Sequence, residues 1–164
     1  MEQKTQIEIF TTGGTIDKVY FDAKDRFQVG ESQIDEMLHE ANVSLAIRVT
    51  PLMRKDSLEM TDRDRADIRQ AVAASDSMRI IITHGTDTMV QTGQALLNIP
   101  GKTVVLTGAM QPARFRQSDA VFNIASALTA VQLLPAGAWI AMNGQIFHPD
   151  KAKKNVALNR FEEL

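Results

Sequence analysis

Short apolar runs alternate with amphipathic stretches along most of this chain. The runs have the length of strands, and several are apolar on both faces, as in a buried parallel sheet. The predicted strands are Ile7–Phe10, Leu45–Leu52, Arg79–Thr83, Thr103–Thr107, Ala138–Met142 and, after an Asn143-Gly144 turn, Gln145–Phe147. The intervening stretches have helical spacing and capping residues. They predict four helices: one that begins after Ser32, then Asp62–Ser75, Met89–Leu97 and Ala120–Leu134.

This alternation predicts the fold class. Strands that alternate with helices form a parallel sheet covered on both faces, so we expect an α/β domain with a doubly wound, mostly parallel, three-layer sheet, Rossmann- or flavodoxin-like. No repeat or boundary divides residues 1–164, which predicts a single domain. The long polar stretch Ile16–Gly30 predicts a mobile functional loop, and Asp150–Leu164 predicts only a charged tail.

Composition narrows the function. The chain has 164 residues and a formal net charge of -2, so charge gives no support to nucleic-acid binding. It has no cysteine and only three, widely separated, histidines, so no disulfide, cysteine nucleophile or metal centre is expected. The sequence contains no apolar run long enough to cross a membrane and no signal-peptide pattern, so we expect a cytoplasmic protein with no membrane partner.

Small polar turns follow three of the predicted strands. They are Thr12–Thr15, Thr83–Asp87 and Thr107–Ala109. In an open parallel sheet, such turns share the edge at which ligands bind. The sequence therefore predicts a small pocket rich in threonine hydroxyls, with the Asp87 carboxylate and the backbone N–H groups of the Gly13-Gly14 turn.

A threonine hydroxyl can attack a carbonyl when a neighbouring base accepts its proton. Either Thr12 or Thr86 could be this nucleophile. A lysine buried beside an aspartate can be the base, and the candidates are Lys151, Lys153 and Lys154. The reaction predicted from these residues is acyl transfer on a small amide or ester, with the oxyanion held by backbone N–H groups.

Each of these features also has a structural explanation. Thr12–Thr15 fits neither the dinucleotide-binding pattern nor the P-loop, and a Gly-Gly pair after a first strand is often only a tight turn. His84 is expected to be a hydrogen-bonded loop histidine rather than a base. The three late lysines would by default form a solvated charged face.

Three motifs in order resemble a known family. Ile9–Ile16 (IFTTGGTI), Ile82–Met89 (ITHGTDTM) and Thr107–Pro112 (TGAMQP) are similar to the amino-terminal domain of the bacterial-type L-asparaginases. The likeness continues through Ser118–Asn123 and Ala141–Asn143, and so covers nearly the whole chain. It implies hydrolysis of L-asparagine to L-aspartate and ammonia, with no metal or organic cofactor.

The resemblance also implies roles for individual residues. Thr12 matches the nucleophile, and Thr86 and Asp87 match the second threonine and its aspartate. Lys154, with Lys153 as the fallback, matches the lysine that completes this set. The remaining matches are Ser57 for the substrate carboxylate, Gly14 and Asp87 for substrate binding, and Tyr20 for the tyrosine of the mobile lid, at a shorter spacing from Thr12 than usual.

The sequence departs from the family pattern in two places. Leu58 stands where the family often has a substrate-binding glutamine, so ammonium recognition is expected to shift to Asp87 or Glu59. The family also continues into a second domain that supplies an acidic residue to a neighbouring subunit, and the chain ends at Leu164 without it. A short form is therefore expected to act as a homo-oligomer, a dimer or tetramer.

Two other functions stay open. A related enzyme could act on another small amide such as glutamine, which Leu58 leaves possible. A non-catalytic amino-acid-binding module could retain the pocket without turnover, although two activated hydroxyls would have no use in it.

Overall fold

A computed structural model describes residues 7–21 and 26–164. Its main sheet has six strands in the order β4-β1-β5-β6-β7-β8. The first five are parallel to one another, and β8 pairs antiparallel with β7. The predicted fold class, a doubly wound and mostly parallel α/β sheet in a single domain, is confirmed.

The helices and strands have the following bounds. The strands of the main sheet are β1 (Ile7–Gly13), β4 (Ile47–Lys55), β5 (Arg79–Thr83), β6 (Thr103–Thr107), β7 (Gly137–Met142) and β8 (Gln145–Phe147). Two antiparallel hairpins lie outside it, β2 (Lys18–Phe21) with β3 (Arg26–Val29) and β9 (Ala152–Asn155) with β10 (Arg160–Glu163). The helices are α1 (Ile34–Glu40), α2 (Asp62–Ala74), α3 (Met89–Ala95) and α4 (Ala120–Leu133).

The core forms two apolar layers, one on each face of the sheet. One layer contains Ile68 and Val72 of α2 together with Ile80 and Ile82 of β5. The other contains Ile81 of the same strand and packs against α4 and α1. Successive residues of β5 thus enter opposite layers, which explains why the central strands are apolar at every position.

The hairpin formed by β2 and β3 was not predicted. The prediction of a long loop over Ile16–Gly30 is wrong for this segment, because Lys18 pairs with Val29 and Tyr20 pairs with Phe27. The rings of Tyr20 and Phe27 lie 5.3 Å apart, and Phe27 lies 5.8 Å from Phe115. Polar and aromatic residues mixed in a two-stranded ribbon give no clear alternation, so the pattern did not indicate strands.

The chain after Asp150 also differs from the prediction of a charged tail. It folds into the hairpin β9–β10, and Phe161 is fully buried with its ring 6.4 Å from that of Phe147. The strand β4 continues to Lys55, beyond the predicted end at Leu52. The first segment carries Lys154 and the second leads into Ser57, two of the site residues expected from the sequence.

Candidate active site

The strand order reverses between β1 and β5, and the candidate site lies where these strands end. From β1 the chain proceeds to β4 on one side and returns to β5 on the other. Ligands of doubly wound folds bind at such a switch point, outside the carboxyl ends of the strands. The turn after β1 is made by Gly13 and Gly14 with φ of 105° and 89°. A side chain at either position would be strained in this backbone conformation.

The turns after β1 and β5 contact each other directly. The Thr12 hydroxyl donates a hydrogen bond to the Thr83 carbonyl oxygen at 2.7 Å. Gly14 packs so closely on the second turn that a Cβ atom there would lie 2.4 Å from the Gly85 nitrogen. The two threonine-bearing turns therefore meet at one place, as their positions at neighbouring strand ends require.

A lysine joins the second turn from the far end of the chain. The Lys154 ammonium donates to the Thr86 hydroxyl oxygen at 2.8 Å and to the Asp87 carboxylate at 2.8 Å. Thr86 is buried, the Lys154 side chain is 17% exposed and that of Asp87 is 40% exposed. The neighbouring Lys153 is exposed, because successive residues of β9 point to opposite faces. Of the two lysines, only Lys154 makes hydrogen bonds to Thr86 and Asp87 among the described contacts.

Ser57 borders the same turn. It begins a single helical turn, Ser57–Glu59, and is buried, with its hydroxyl oxygen unpartnered within the described residues. The missing side chain of Gly85 makes room for it, since a Cβ atom on Gly85 would lie 2.6 Å from the Ser57 oxygen. A buried, unpartnered hydroxyl beside Thr86 is suited to a polar ligand atom. The following residues, Leu58 and Glu59, are both exposed.

Three of the expected site residues, Thr12, Gly14 and Tyr20, are positioned differently from what their expected roles require. Thr12 is fully buried, and its hydroxyl proton is directed at the Thr83 carbonyl oxygen rather than at Thr86 or Lys154. The Gly14 amide, expected to help hold the substrate, donates instead to the Lys55 carbonyl oxygen at 2.9 Å. Tyr20 lies on β2 and is 47% exposed, with its ring against Phe27.

His84 is buried beneath the second turn, and both of its ring nitrogens contact neighbouring groups, so it is not positioned as a base. Its Nδ1 lies 2.7 Å from the Gly85 carbonyl oxygen, and its Nε2 lies 2.7 Å from the Thr92 hydroxyl. Arg65 donates to that hydroxyl at 3.2 Å, so Thr92 donates in turn to Nε2 and Nδ1 carries the proton. Burial lowers the pKa of His84 to about 4, which keeps the ring neutral.

Sequence reasoning missed two charged residues at the start of the first hairpin. Asp17 is buried, and burial raises its pKa to about 7. Lys18 forms an ion pair with Asp56 at 3.0 Å and so joins β2 to the Ser57 turn. Charged residues in a polar stretch looked like solvated loop positions, and only the folded structure reveals the burial of Asp17 and the pairing of Lys18 with Asp56.

The rest of the described chain contains no competing metal centre. Across residues 7–21 and 26–164, no group of three or more His, Asp or Glu side chains could hold a metal ion. Over the same ranges, none of the helices has the length and apolar character needed to cross a membrane.

Fold and site together define a doubly wound α/β domain whose polar cluster of threonine, lysine and aspartate lies at the topological switch point. The family described as "Asparaginase, N-terminal" matches residues 6–162, and the chain belongs to this family. The resemblance found in the sequence motifs is thus confirmed.

L-asparaginases of other organisms are similar to this chain in sequence. The chain is 30% identical to an L-asparaginase of Thermococcus kodakarensis over 95% of its own length and 50% of the relative. It is 30% identical to L-asparaginase 1 of Escherichia coli K12, over 93% of the chain and 48% of the relative. The chain spans about half the length of these relatives.

Solved structures show the same coverage. The structure of L-asparaginase I from Vibrio cholerae superposes with a TM-score of 0.81 at 26% identity, over 96% of this chain and 50% of that one. The thermostable L-asparaginase of T. kodakarensis gives a TM-score of 0.80 at 28% identity, over 96% and 51%.

Proposed function

We propose that this domain hydrolyses the side-chain amide of L-asparagine to give L-aspartate and ammonia. The observation that carries the proposal is the Lys154 ammonium, 2.8 Å from both Thr86 and Asp87, beside the turn that holds Thr12. A hydroxyl linked to an amine that is oriented by a carboxylate is a common arrangement for moving protons during acyl transfer. Membership of the asparaginase family supports the same reaction.

In the proposed mechanism Thr12 is the nucleophile. Its Oγ1 bonds to the amide carbon of the substrate, the carbon–nitrogen bond breaks, and the hydroxyl proton leaves with the nitrogen as ammonia. Water then attacks the resulting ester, which releases aspartate and returns the proton to Thr12. Before the first step, the Thr12 hydroxyl must turn away from the Thr83 carbonyl oxygen, to which it donates at 2.7 Å.

Thr86 and Lys154 transfer the protons in this scheme. Thr86 accepts a hydrogen bond from Lys154, so its own hydroxyl proton is free to point toward a substrate or water oxygen or nitrogen. A proton given up by Thr86 can be replaced from the lysine, and the reverse transfer restores it. Asp87 keeps the ammonium in position through its 2.8 Å contact.

Substrate binding is assigned to the groups around this cluster. The Ser57 hydroxyl, which has no hydrogen-bond partner within residues 7–21 and 26–164, is proposed to donate to the substrate carboxylate, and the partly exposed Asp87 to hold the ammonium group. Leu58 is 73% exposed and has no hydrogen-bonding group, so it makes no polar contact with the substrate. Tyr20 is proposed to cover Thr12 from the hairpin.

The two open functions predict different results. An enzyme for glutamine would release ammonia faster from L-glutamine than from L-asparagine. A binding module would bind aspartate in calorimetry and release no ammonia from either amino acid. The retained contact between Lys154 and Thr86 favours the enzyme, because binding alone does not require a hydroxyl paired with an amine.

The test is ammonia release from L-asparagine and L-glutamine by the purified chain and by Thr12→Val. We expect release from L-asparagine and a loss of at least about 10³-fold in Thr12→Val, as for other nucleophiles. Thr11→Val makes the same change one position earlier on the other face of β1 and should keep turnover near the parent rate. Turnover that survives in Thr12→Val, or acyl transfer traced to Thr86, would overturn the assignment of Thr12.

We also propose that the chain acts as a homo-oligomer, a dimer or tetramer, in the cytoplasm, with a small amino acid as its substrate. Four exposed apolar side chains on α4 and β8 support self-association: Val121, Phe122, Leu133 and Ile146. One structural relative is described as a probable cytoplasmic L-asparaginase of Campylobacter jejuni. Sedimentation analysis of the purified chain tests this assembly, and a monomer at micromolar concentration would contradict it.

A further inference from the structure

An ion pair joins the first hairpin to the turn that presents Ser57. The Lys18 ammonium of β2 lies 3.0 Å from the Asp56 carboxylate, and both side chains are less than one-third exposed. The other Asp56 oxygen accepts a hydrogen bond from the Leu58 amide at 3.0 Å and so caps the turn. Asp56 therefore touches both the hairpin and the Ser57 turn.

The groups around Asp56 favour its ionised form, which can pair with the Lys18 ammonium. Burial alone would raise the pKa of Asp56, but the Leu58 amide, Lys18 and the more distant Lys154 outweigh it and hold the pKa below its usual value. Asp56 is thus ionised at neutral pH and attracted to Lys18. The attraction fixes the place of the Ser57 turn relative to β2, whose later residue Tyr20 belongs to the proposed site.

Two backbone hydrogen bonds hold the start of the β2–β3 hairpin, and this fixes the backbone position from which Lys18 reaches Asp56. The Asp17 amide donates to the Gly14 carbonyl oxygen at 3.1 Å, and the Gly30 amide donates to the Asp17 carbonyl oxygen at 2.8 Å. Lys18 therefore lies at a defined position after the Gly13-Gly14 turn. It meets Asp56 at the entrance to the Ser57 turn.

We propose that Lys18 is a positioning residue that acts through Asp56 to hold the Ser57 turn in its substrate-binding geometry. This inference rests on the proposed function of Ser57 in holding the substrate carboxylate. Ser57 would contact the substrate equally before and during the reaction, so loosening its turn raises KM and leaves kcat nearly unchanged. Lys18 itself touches no substrate atom in this account.

The test is a double-mutant cycle of Lys18→Met and Asp56→Asn in the full chain. The asparagine keeps an oxygen that can cap Leu58, so only the ion pair is lost. We expect KM for L-asparagine, and the Kd for L-aspartate in calorimetry, to rise about two- to fivefold in either single variant, the range for partly exposed ion pairs. The double variant should be no worse than either single one, and Lys18→Arg should restore both values.

Other results would overturn the inference. If Lys18 bound the substrate directly, Asp56→Asn would leave binding intact or strengthen it, and the effects of the two changes would not overlap. A fall in kcat at constant KM would also contradict it. Lys151→Met removes one exposed positive charge elsewhere and should change neither constant, so an equal effect there would show a general charge effect.

The calorimetric measurement separates this inference from the proposed reaction. If the parent chain binds aspartate but releases no ammonia, hydrolysis is refuted while the cycle still tests positioning through Kd. Hydrogen exchange at the Glu59 and Met60 amides, which donate to the Asp56 and Ser57 carbonyl oxygens at 2.9 and 3.2 Å, gives a second readout that needs no ligand. It should accelerate about two- to fivefold in Lys18→Met, and unchanged exchange together with unchanged Kd would refute the positioning role.

Discussion

The buried carboxylate of Asp17 predicts that the unfolding free energy falls as pH rises from about 4 to about 7. Asp17 is only 2% exposed, and one of its oxygens is buried with no hydrogen-bond partner among the described residues. Burial raises its pKa to about 7, against weaker opposing effects that include the Gln33 amide and the charge of Arg114. The perturbation that tests this is Asp17→Asn, which has nearly the same shape and no charge.

The magnitude follows from linkage between ionisation and folding. The pKa of Asp17 rises from 3.8 in the unfolded chain to about 7 in the folded one. The folded state therefore binds more protons between these values, and its stability is full below pH 4 and declines as pH rises toward 7. Roughly three pKa units at 1.36 kcal/mol each give a loss of about 4 kcal/mol, an upper bound.

Urea unfolding at several pH values from 4.5 to 8.5 measures this loss. The informative quantity is the unfolding free energy of the parent minus that of Asp17→Asn, because the titration of every other group cancels in it. We expect the unfolding free energy of the parent to fall by about 2–4 kcal/mol relative to that of Asp17→Asn as the pH rises across this range. Asp35→Asn, at an exposed aspartate of α1, is the matched control and should show no such trend.

A constant difference between parent and Asp17→Asn at every pH would refute the reasoning. It would mean that Asp17 ionises in the folded protein as it does in the unfolded chain. A constant offset in favour of either protein would not rescue it, because the amide of the asparagine has its own, pH-independent, hydrogen-bonding cost.

Three further predictions concern the scaffold of the site. Gly85→Ala should lower the unfolding free energy by about 1–3 kcal/mol and abolish aspartate binding in calorimetry, because the new Cβ would lie 2.6 Å from the Ser57 oxygen. Asp64→Ala should cost about 1–2 kcal/mol in urea unfolding, since Asp64 completes a capping box with Thr61 and accepts from Lys55 at 2.8 Å. Because the Lys55 hydrogen bond lowers the pKa of Asp64 to about 2, this cost should shrink as pH falls from 4 toward 2. Phe161→Ala should cost about 3–5 kcal/mol, because the ring, on β10, is fully buried in the core beside Phe147.

The sequence predicted the central sheet because its strands are apolar at every position. Arg79–Thr83 and Thr103–Thr107 were predicted with the bounds that the structure shows. The spacing of Thr61 and Asp64 likewise predicts the capping box with which α2 begins. These features depend on local patterns alone.

Features that depend on long-range contacts were not visible. Nothing near Phe161 indicates that it would be buried against Phe147, yet this contact helps to hold the strand that carries Lys154. The sequence alone left three lysines open, and the resemblance favoured Lys154. Their separation by strand alternation appears only once the segment is seen as β9 and not as a tail. Likewise, the pairing of Lys18 with Asp56 joins two segments that are 38 positions apart in number.

The predicted roles of the site residues remain predictions. The contact between the turns of Thr12 and Thr86 follows from the neighbouring ends of β1 and β5. The alternating pattern indicated that the turns share one edge of the sheet, but not which strands are neighbours. No sequence pattern indicates that the Thr12 hydroxyl donates to the Thr83 carbonyl oxygen. The same is true of the hydrogen bond from the Gly14 amide to the Lys55 carbonyl oxygen.

Turnover of L-asparagine by Lys154→Met, compared with Lys153→Met, tests the central claim most directly. Both changes remove one ammonium group from β9, but only Lys154 contacts Thr86 and Asp87 among the described residues. We predict a fall of about 10²-fold or more in kcat for Lys154→Met and almost none for Lys153→Met. Equal rates in the two variants would mean that the lysine beside Thr86 moves no proton, and the proposed mechanism would be wrong.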